Sequence, residues 1–395
     1  MQFDIVCHCH LRWDFVWQRP QQLMTRMARC HRVFFLEDAA PLPEGEDTPR
    51  LAISHPQDRL VVVRPLLRRH TGDAEHDAEV DRENAKAFVP MVRAALEAHH
   101  FHTIVHWFYT PMAYWLANEI PYIGIVYDCM DELALFKNPP PGIVEREQEL
   151  LDCANVVFTG GRSLYLGKVE RHANVHMFAS GVEVDHFGEA CLPETLVPDD
   201  IASINRPRFT YTGVIDERLD LELIGAVARE RPDWSFVMIG PVVKIEESAL
   251  PHAPNIHYLG QKPYAKLPQY LKGSDVAIMP FALNDATRFI SPTKTLEYMA
   301  ARRPVVSTPI ADVVAYYNRI VWVASGGASA FVSACEAALH PDAARLDEGV
   351  AVARGQTWDS IVDRMNALLE ETLSQQCVIR DSVSEHDPNT KEWRE

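Results

Sequence analysis

The chain has 395 residues, 47% of them apolar, which suits two globular domains of roughly 150–200 residues, each with its own core. Acids outnumber Lys and Arg by 55 to 38, giving a formal net charge of −17 and arguing against broad nucleic-acid binding through a basic face. The opening MQFDIVCHCH has no basic region followed by a long apolar run, and no segment reaches about 18 uninterrupted apolar residues. Neither a signal peptide nor a spanning helix is therefore expected. The eight cysteines are scattered, as expected for reduced thiols in the cytoplasm rather than for a disulfide framework.

In chain order, residues 2–7 read as a short buried strand. A loop carrying Trp13, Asp14, Phe15 and Trp17 follows, then a helical pattern with Pro20 early, where a helix tolerates it. Strands are expected at 32–37, 59–65, 102–108, 121–128 and 155–161, with helices at 79–99, 112–120, 145–154 and 162–171 between them. Residues 191–207 hold Pro193, Pro198 and Pro207, lack periodicity and read as a linker that ends a first domain at 190. The alternation then restarts with strands at 208–215, 235–242, 255–260, 275–281, 305–308 and 319–324, and with helices at 219–232, 267–274, 293–300 and 328–340. A last helix at 357–373 follows this second domain, 208–355, and residues 376–395 are expected to be a disordered tail. Strand and helix in alternation, twice over, predict an α/β fold of two Rossmann-like, doubly wound domains facing across a cleft. Ligands in such sheets bind beyond the carboxyl ends of the strands, so the cleft is the expected site.

The CHCH run at 7–10 suggests metal ligands, but neighbouring side chains on a strand point to opposite faces, so no metal is expected. The segment SPTKTLEYMAARRPVVSTPI, 291–310, is more informative. Ser291, Pro292 and Thr293 open a helix whose free amides favour an anion, and Lys294 adds a full charge at an end where cations are otherwise disfavoured. Glu297, one turn on, can accept from two vicinal hydroxyls of a ribose. The alternative is an ordinary solvated Lys–Glu pair. Gly240 closes a strand and lets a ligand approach the backbone. Asp128 ends the strand YIGIVYD and Asp131 follows; one of them can instead cap the next helix. Asp14 and Arg19 flank the first strand–helix loop and His106 ends a strand before an aromatic run; these are candidates for contacting a second substrate, although Arg19 can equally sit on a helix surface and a strand-end histidine is more often a satisfied structural residue. The cluster RPLLRRH, 64–70, is either a weak contact for an anionic bilayer or a solvated loop. No GxGxxG, GxxxxGK[ST] or GxSxG motif is present, so no nicotinamide cofactor is indicated.

The segment 291–310, together with NIHYLGQKPYAKLPQYLKGSDVAIMPF and YTGVIDERLDLELI, resembles the donor-binding half of GT-B fold retaining glycosyltransferases of family 4 type. WDFVWQRPQQLMTRMA and IVYDCMDE are similar to a bacterial subgroup that builds surface polysaccharides, the teichuronic-acid-type and UDP-galactopyranose-mutase-associated transferases. The resemblance implies a sugar nucleotide, first of all a UDP-sugar, as co-substrate, and a saccharide or lipid-linked saccharide as acceptor. It also implies retention of configuration and no metal. Donor contacts then fall on Gly213, Arg218, Gly240, Ser291, Pro292, Thr293, Lys294 and Glu297, with Lys294 and Arg218 binding the leaving group. Asp128, Asp131 and Lys294 are the implied catalytic groups, and Asp14, Arg19 and His106 the acceptor contacts. The sequence departs from the pattern at Phe289, where a sugar-facing glutamate is usual, and at Val214 and Asp220, where cations are usual. The departures keep open an inactive sugar-nucleotide binder, and the shared fold keeps open a sugar-nucleotide epimerase. By the same resemblance, the last helix crosses back onto the first domain.

Overall fold

The computed structural model of the chain describes residues 2–72 and 74–384. Two sheets dominate it. The first contains β1 (Asp4–Cys9), β2 (Val33–Glu37), β3 (Ala40–Pro41), β4 (Arg50–Gln57), β5 (Leu60–Leu67), β6 (Ile104–Phe108), β7 (Gly124–Cys129), β8 (Val156–Thr159) and β9 (Val175–Met177). Its order is β3-β5-β2-β1-β6-β7-β8-β9, parallel throughout, with β4 antiparallel to β5 at one edge. The second holds β10 (Arg208–Thr212), β11 (Ser235–Ile239), β12 (Ile256–Gly260), β13 (Val276–Met279), β14 (Val305–Ser307) and β15 (Trp322–Val323), in the order β12-β11-β10-β13-β14-β15.

The two-residue period of a strand explains the layers of the first lobe. Ile5, Cys7, Val33, Phe35, Val105 and Trp107 point to one face, where the last helix, Trp358–Ser384, covers them with Ile361, Met365 and Leu369. Val6, Phe34, Leu36, Val61 and Val63 point to the other, beneath the helix Ala74–Ala98. Every residue of β1 and β2 is therefore buried, as in parallel sheets covered on both sides. Arg26 pairs with Asp359 at 3.1 Å, and His31 Nε2 lies 3.2 Å from Asn366 Oδ1, so polar contacts also fasten the last helix to the first lobe.

Three expectations need correction. Residues 182–190, read as first-domain, pack into the second core through Val182, Phe187 and Ala190. The run 191–207 contains a helical turn, Asp199–Ala202, whose Ile201 is buried against the second sheet. The tail does not begin at 376, because the last helix continues to Ser384; once a helix is anchored, each added residue gains a hydrogen bond without a new nucleation cost. Residues 385–395 of the expected tail lie outside the described residues.

The chain crosses between lobes twice, and the crossings touch. Val182 N–H donates to Gln356 O at 2.9 Å, and Val182 forms a parallel bridge with Thr357. A Cβ on Gly181 would lie 2.7 Å from Trp358 N and 3.0 Å from Thr357 C, both backbone atoms that cannot swing aside. Gly181→Ala is expected to cost about 1–3 kcal/mol in chemical denaturation; an unchanged midpoint would show that the two crossings have room to separate.

Candidate functional site between the lobes

The carboxyl ends of both sheets face each other, and two adjoining cavities lie between them. The smaller, about 150 Å³, is lined by Gln18, Arg19, Asp131 and Gly160 from the first lobe and by Arg218 and residues 290–294 from the second. The larger, about 620 Å³, runs from Trp13, Asp14 and Phe15 to Gly213, Gly240 and residues 261–264. Lys294 and Glu297 line both, so they stand at the junction.

The helix Lys294–Ala300 sets that pair. Its apolar side, Leu296, Met299 and Ala300, is buried in the second core, which turns Lys294 and Glu297 toward the cleft. Thr295 and Glu297 N–H groups bond back to Pro292 O and Thr293 O. Among the described residues, the N–H groups of Thr293 and Lys294 find no acceptor. Lys294 lies over the end of β10, where a Cβ on Gly213 would collide with its Cε. Gly213 and Gly240 have φ of 148° and 149°, which favours glycine, and a Cβ on Gly240 would strike Gly213 O. Burial lowers the Lys294 pKa, with Arg218 adding to the effect and Glu297 opposing it. Burial raises that of Glu297, opposed by Lys294.

Arg218 reaches the smaller cavity already chelated: Nε lies 3.0 and 3.1 Å from the two oxygens of Asp216, and Nη2 lies 2.7 Å from Oδ2. Asp216 went unremarked in the sequence, although its spacing from Arg218 is a hint. Asp220 caps the helix Leu221–Glu230, accepting from Leu223 N–H at 2.8 Å, so it takes no part in the cavity. Asp131 lines the smaller cavity, and its pKa is pushed up to about 6 by burial first and then by Asp216, against Arg218 and Lys244.

Other expected site residues lie elsewhere. Asp128 is fully buried and held by Arg19: Nη2 to Oδ1 at 2.8 Å and Nε to both oxygens at 3.1 Å, while Nη1 donates to Phe178 O at 2.8 Å. Asp128 is therefore not open to a sugar, and Arg19 shows the cavity a guanidinium that is already spent. His106 is also fully buried, bonded to His8 and Ile120 O, and does not reach the cleft as an acceptor contact. Asp14 stands at the mouth of the larger cavity, exposed and 3.0 Å from Arg64. In the 64–70 cluster Arg64 pairs with Glu37 and Asp14, Arg68 with Glu83 and Asp47, and His70 with Asp81, while Arg69 donates to Leu42 O at 2.6 Å, so most of its charge is already matched. Among the described residues, no three His, Cys, Asp or Glu side chains gather as a metal site, and no helix is long and apolar enough to cross a membrane.

The residues that bind the lobes together carry no local signal in the sequence. Gln22 Nε2 donates to Glu183 Oε2 at 2.9 Å and to Tyr264 Oη at 3.1 Å, and Gln261 Nε2 donates to Phe15 O at 2.6 Å. Asp312 of the second lobe accepts from the N–H groups of Arg162 and Ser163, capping a first-lobe helix. A Cβ on Gly161 would lie 2.5 Å from Asp312 Oδ2 and 2.6 Å from Ser291 Cβ, so glycine there permits the approach. Phe289 packs against the first-lobe cluster of Leu150, Leu164 and Ile125.

Two measurements test this description. Arg19→Leu strands a buried carboxylate and should cost about 3–5 kcal/mol, while Arg19→Leu with Asp128→Leu should recover most of it; equal losses in single and double variants would refute the pairing. Asp131 is ionised at pH 8 both folded and unfolded, at a cost only the folded state bears, because its folded pKa of about 6 is raised. Asp131→Asn should therefore raise Tm at pH 8, by about 1 kcal/mol in stability after solvent screening. The gain should shrink as pH falls through 6 toward 4, and a gain independent of pH would contradict the burial of this carboxyl.

Residues 207–340 match the family described as glycosyl transferases group 1. A curated relative is TuaH of Bacillus subtilis (strain 168), assigned by name to teichuronic acid biosynthesis as a glycosyltransferase. It is 26% identical over 196 residues, an alignment spanning 47% of this chain and 48% of the relative, about half its length. Sucrose-phosphate synthase from Thermosynechococcus elongatus superposes with a TM-score of 0.69 at 13% identity, over 95% of this chain and 100% of that one. Anabaena Alr3699/HepE, in complex with UDP, superposes at 0.60 and 12% identity over 94% and 100%. The chain thus has the GT-B fold, and the stretch that matches glycosyl transferases group 1 lies in its second lobe.

Proposed function

We propose that this chain transfers a sugar from a nucleoside diphosphate sugar, in the first instance a UDP-sugar, to a saccharide or lipid-linked saccharide in surface polysaccharide synthesis. One observation carries the reading: an ammonium and a carboxyl from a single helical turn, Lys294 and Glu297, face the junction of two interlobe cavities. UDP in the Anabaena relative and the assignment of TuaH to teichuronic acid biosynthesis support the carrier and the product class.

In this reading the larger cavity takes the nucleoside, with Glu297 accepting from the ribose hydroxyls. The smaller cavity takes the sugar. As the bond to the diphosphate breaks, negative charge grows on the leaving oxygen and positive charge on the sugar. Lys294 and the unpartnered amides of Thr293 and Lys294 stabilise the diphosphate. Arg218, half neutralised by Asp216, is the weaker contributor. Asp131 is the carboxylate offered to the sugar from the opposite wall. The contacts of Gln22 with Tyr264 and of Gln261 with Phe15 hold the lobes together and limit water around the reacting bond. Retention, a balance of charge by the chain's own cations without metal, and a cytoplasmic location complete the reading; the first two rest on the family resemblance. One observation favours a second reading, binding without transfer: Phe289 stands where a sugar-facing glutamate is usual and is occupied with lobe packing.

Thermal shift with UDP, GDP, ADP and dTDP tests the donor site, since a ligand of the folded state raises Tm by mass action. UDP should give the largest rise, and Glu297→Ala should weaken it roughly 10- to 100-fold. No rise with any of the four would remove the donor site. A rise with UDP but no transfer from UDP-sugars to any saccharide would favour the second reading.

A further inference from the structure

Among the described residues, five charged side chains line the smaller interlobe cavity: Arg19, Arg218 and Lys294 with Asp131 and Glu297. Both arginines arrive already paired. Arg19 is buried and holds Asp128 through Nε and Nη2, while its Nη1 donates to Phe178 O. Arg218 holds Asp216 through the same two nitrogens, with Nη2 2.7 Å from Oδ2. Seen from the cavity, each arginine–aspartate pair is close to neutral, so neither adds a full positive charge. Asp131 differs. Among the described residues no hydrogen bond or ion pair reaches its carboxylate, which stays partly exposed on the wall.

Three cations thus face four carboxylates on or directly behind the wall: Asp131, Glu297, Asp128 and Asp216. A diphosphate brings further negative charge, which Lys294 and the amides of Thr293 and Lys294 have to meet. Among the lining groups that leaves no unpaired cation for a second anion. Lys244 acts on Asp131 from a distance, but it is exposed, its ammonium lies 4.8 Å from the Phe136 ring centroid, and it does not line the cavity. An anion set down beside Asp131 would lose its water next to a like charge, which is unfavourable on both counts. A hydroxyl in the same place meets the opposite condition, because an ionised carboxylate only accepts and a hydroxyl donates. Ser180 and Ser291 add neutral hydroxyls to the same wall.

Within the donor-site reading above, on which this depends, we infer that the sugar carried by the nucleotide is uncharged, its hydroxyls donating to Asp131, and that a uronate is turned away by that carboxylate. Glucose and glucuronate differ only at C6, as do galactose and galacturonate. Shape is then nearly the same within each pair, and charge decides. The selection is made against the wrong sugar as much as for the right one.

Isothermal titration of the full chain at pH 8, without acceptor, compares UDP-glucose with UDP-glucuronate and UDP-galactose with UDP-galacturonate. In the pair that binds more tightly, the neutral member should bind at least about tenfold more strongly than its uronate. Asp131→Asn should cut that ratio to about threefold or less. The ratio is read within one preparation, so a partly unfolded fraction cancels. Equal or stronger binding of the uronate, or a ratio unmoved by Asp131→Asn, would overturn the assignment. Binding of UDP with no binding of any of the four sugar nucleotides would overturn it as well. Failure of UDP itself to bind would remove the donor site as a whole, and this assignment with it.

Discussion

The interlobe site depends on one steric constraint: the Lys294 side chain can lie across the end of β10 only because Gly213 has no Cβ. Gly240 extends the constraint to the next strand, since its own missing Cβ lets Gly213 O come close. The two bare strand ends open a trough, and the 294–300 helix lays a charged side chain along it. Burial opposes the charge on both Lys294 and Glu297, and each helps the other keep it. The free protein thus holds two enclosed charges whose desolvation cost a ligand of complementary charge and hydroxyl pattern would offset.

The two-lobed α/β plan was legible because strands such as β1, β2, β8 and β13 are short, fully buried runs between amphipathic helices. β4 was not, because it is an edge strand with exposed residues and an internal Pro56, a pattern that reads as a loop. The pairing of Lys294 with Glu297 was legible because both sit on one helical turn, where spacing fixes their common direction. Asp128 and His106 misled for the opposite reason. Their partners, Arg19 and His8, lie 109 and 98 residues away, and nothing local says that a strand-end polar residue is already taken. Asp131 differs from Asp128 by three positions, yet one is buried against an arginine and the other lines the cavity. Periodicity cannot separate them once the strand has ended.

Phe289 shows how a change of residue type can change the work of a position. In the pattern that the sequence resembles, an acid there faces the sugar; here an aromatic ring leaves the cavity for the first-lobe core. In the proposed reading, the specificity that one carboxylate would have supplied falls to other polar groups on the wall, Gln18, Asp131 and Arg218 among them. The same ring adds apolar contact between lobes that also meet through hydrogen bonds, the Arg26–Glu183 ion pair and the Asp312 cap.

The paired crossings at 181–182 and 356–358 have a mechanical meaning. A lone tether would let one lobe twist, slide or tumble against the other, whereas two backbone strands laced side by side behave like the knuckles of a door. They leave one easy axis of rotation and resist translation along it. Such a pivot would return Lys294 and Asp131 to the same separation at every swing, so whatever enters the cleft would meet the same alignment each time.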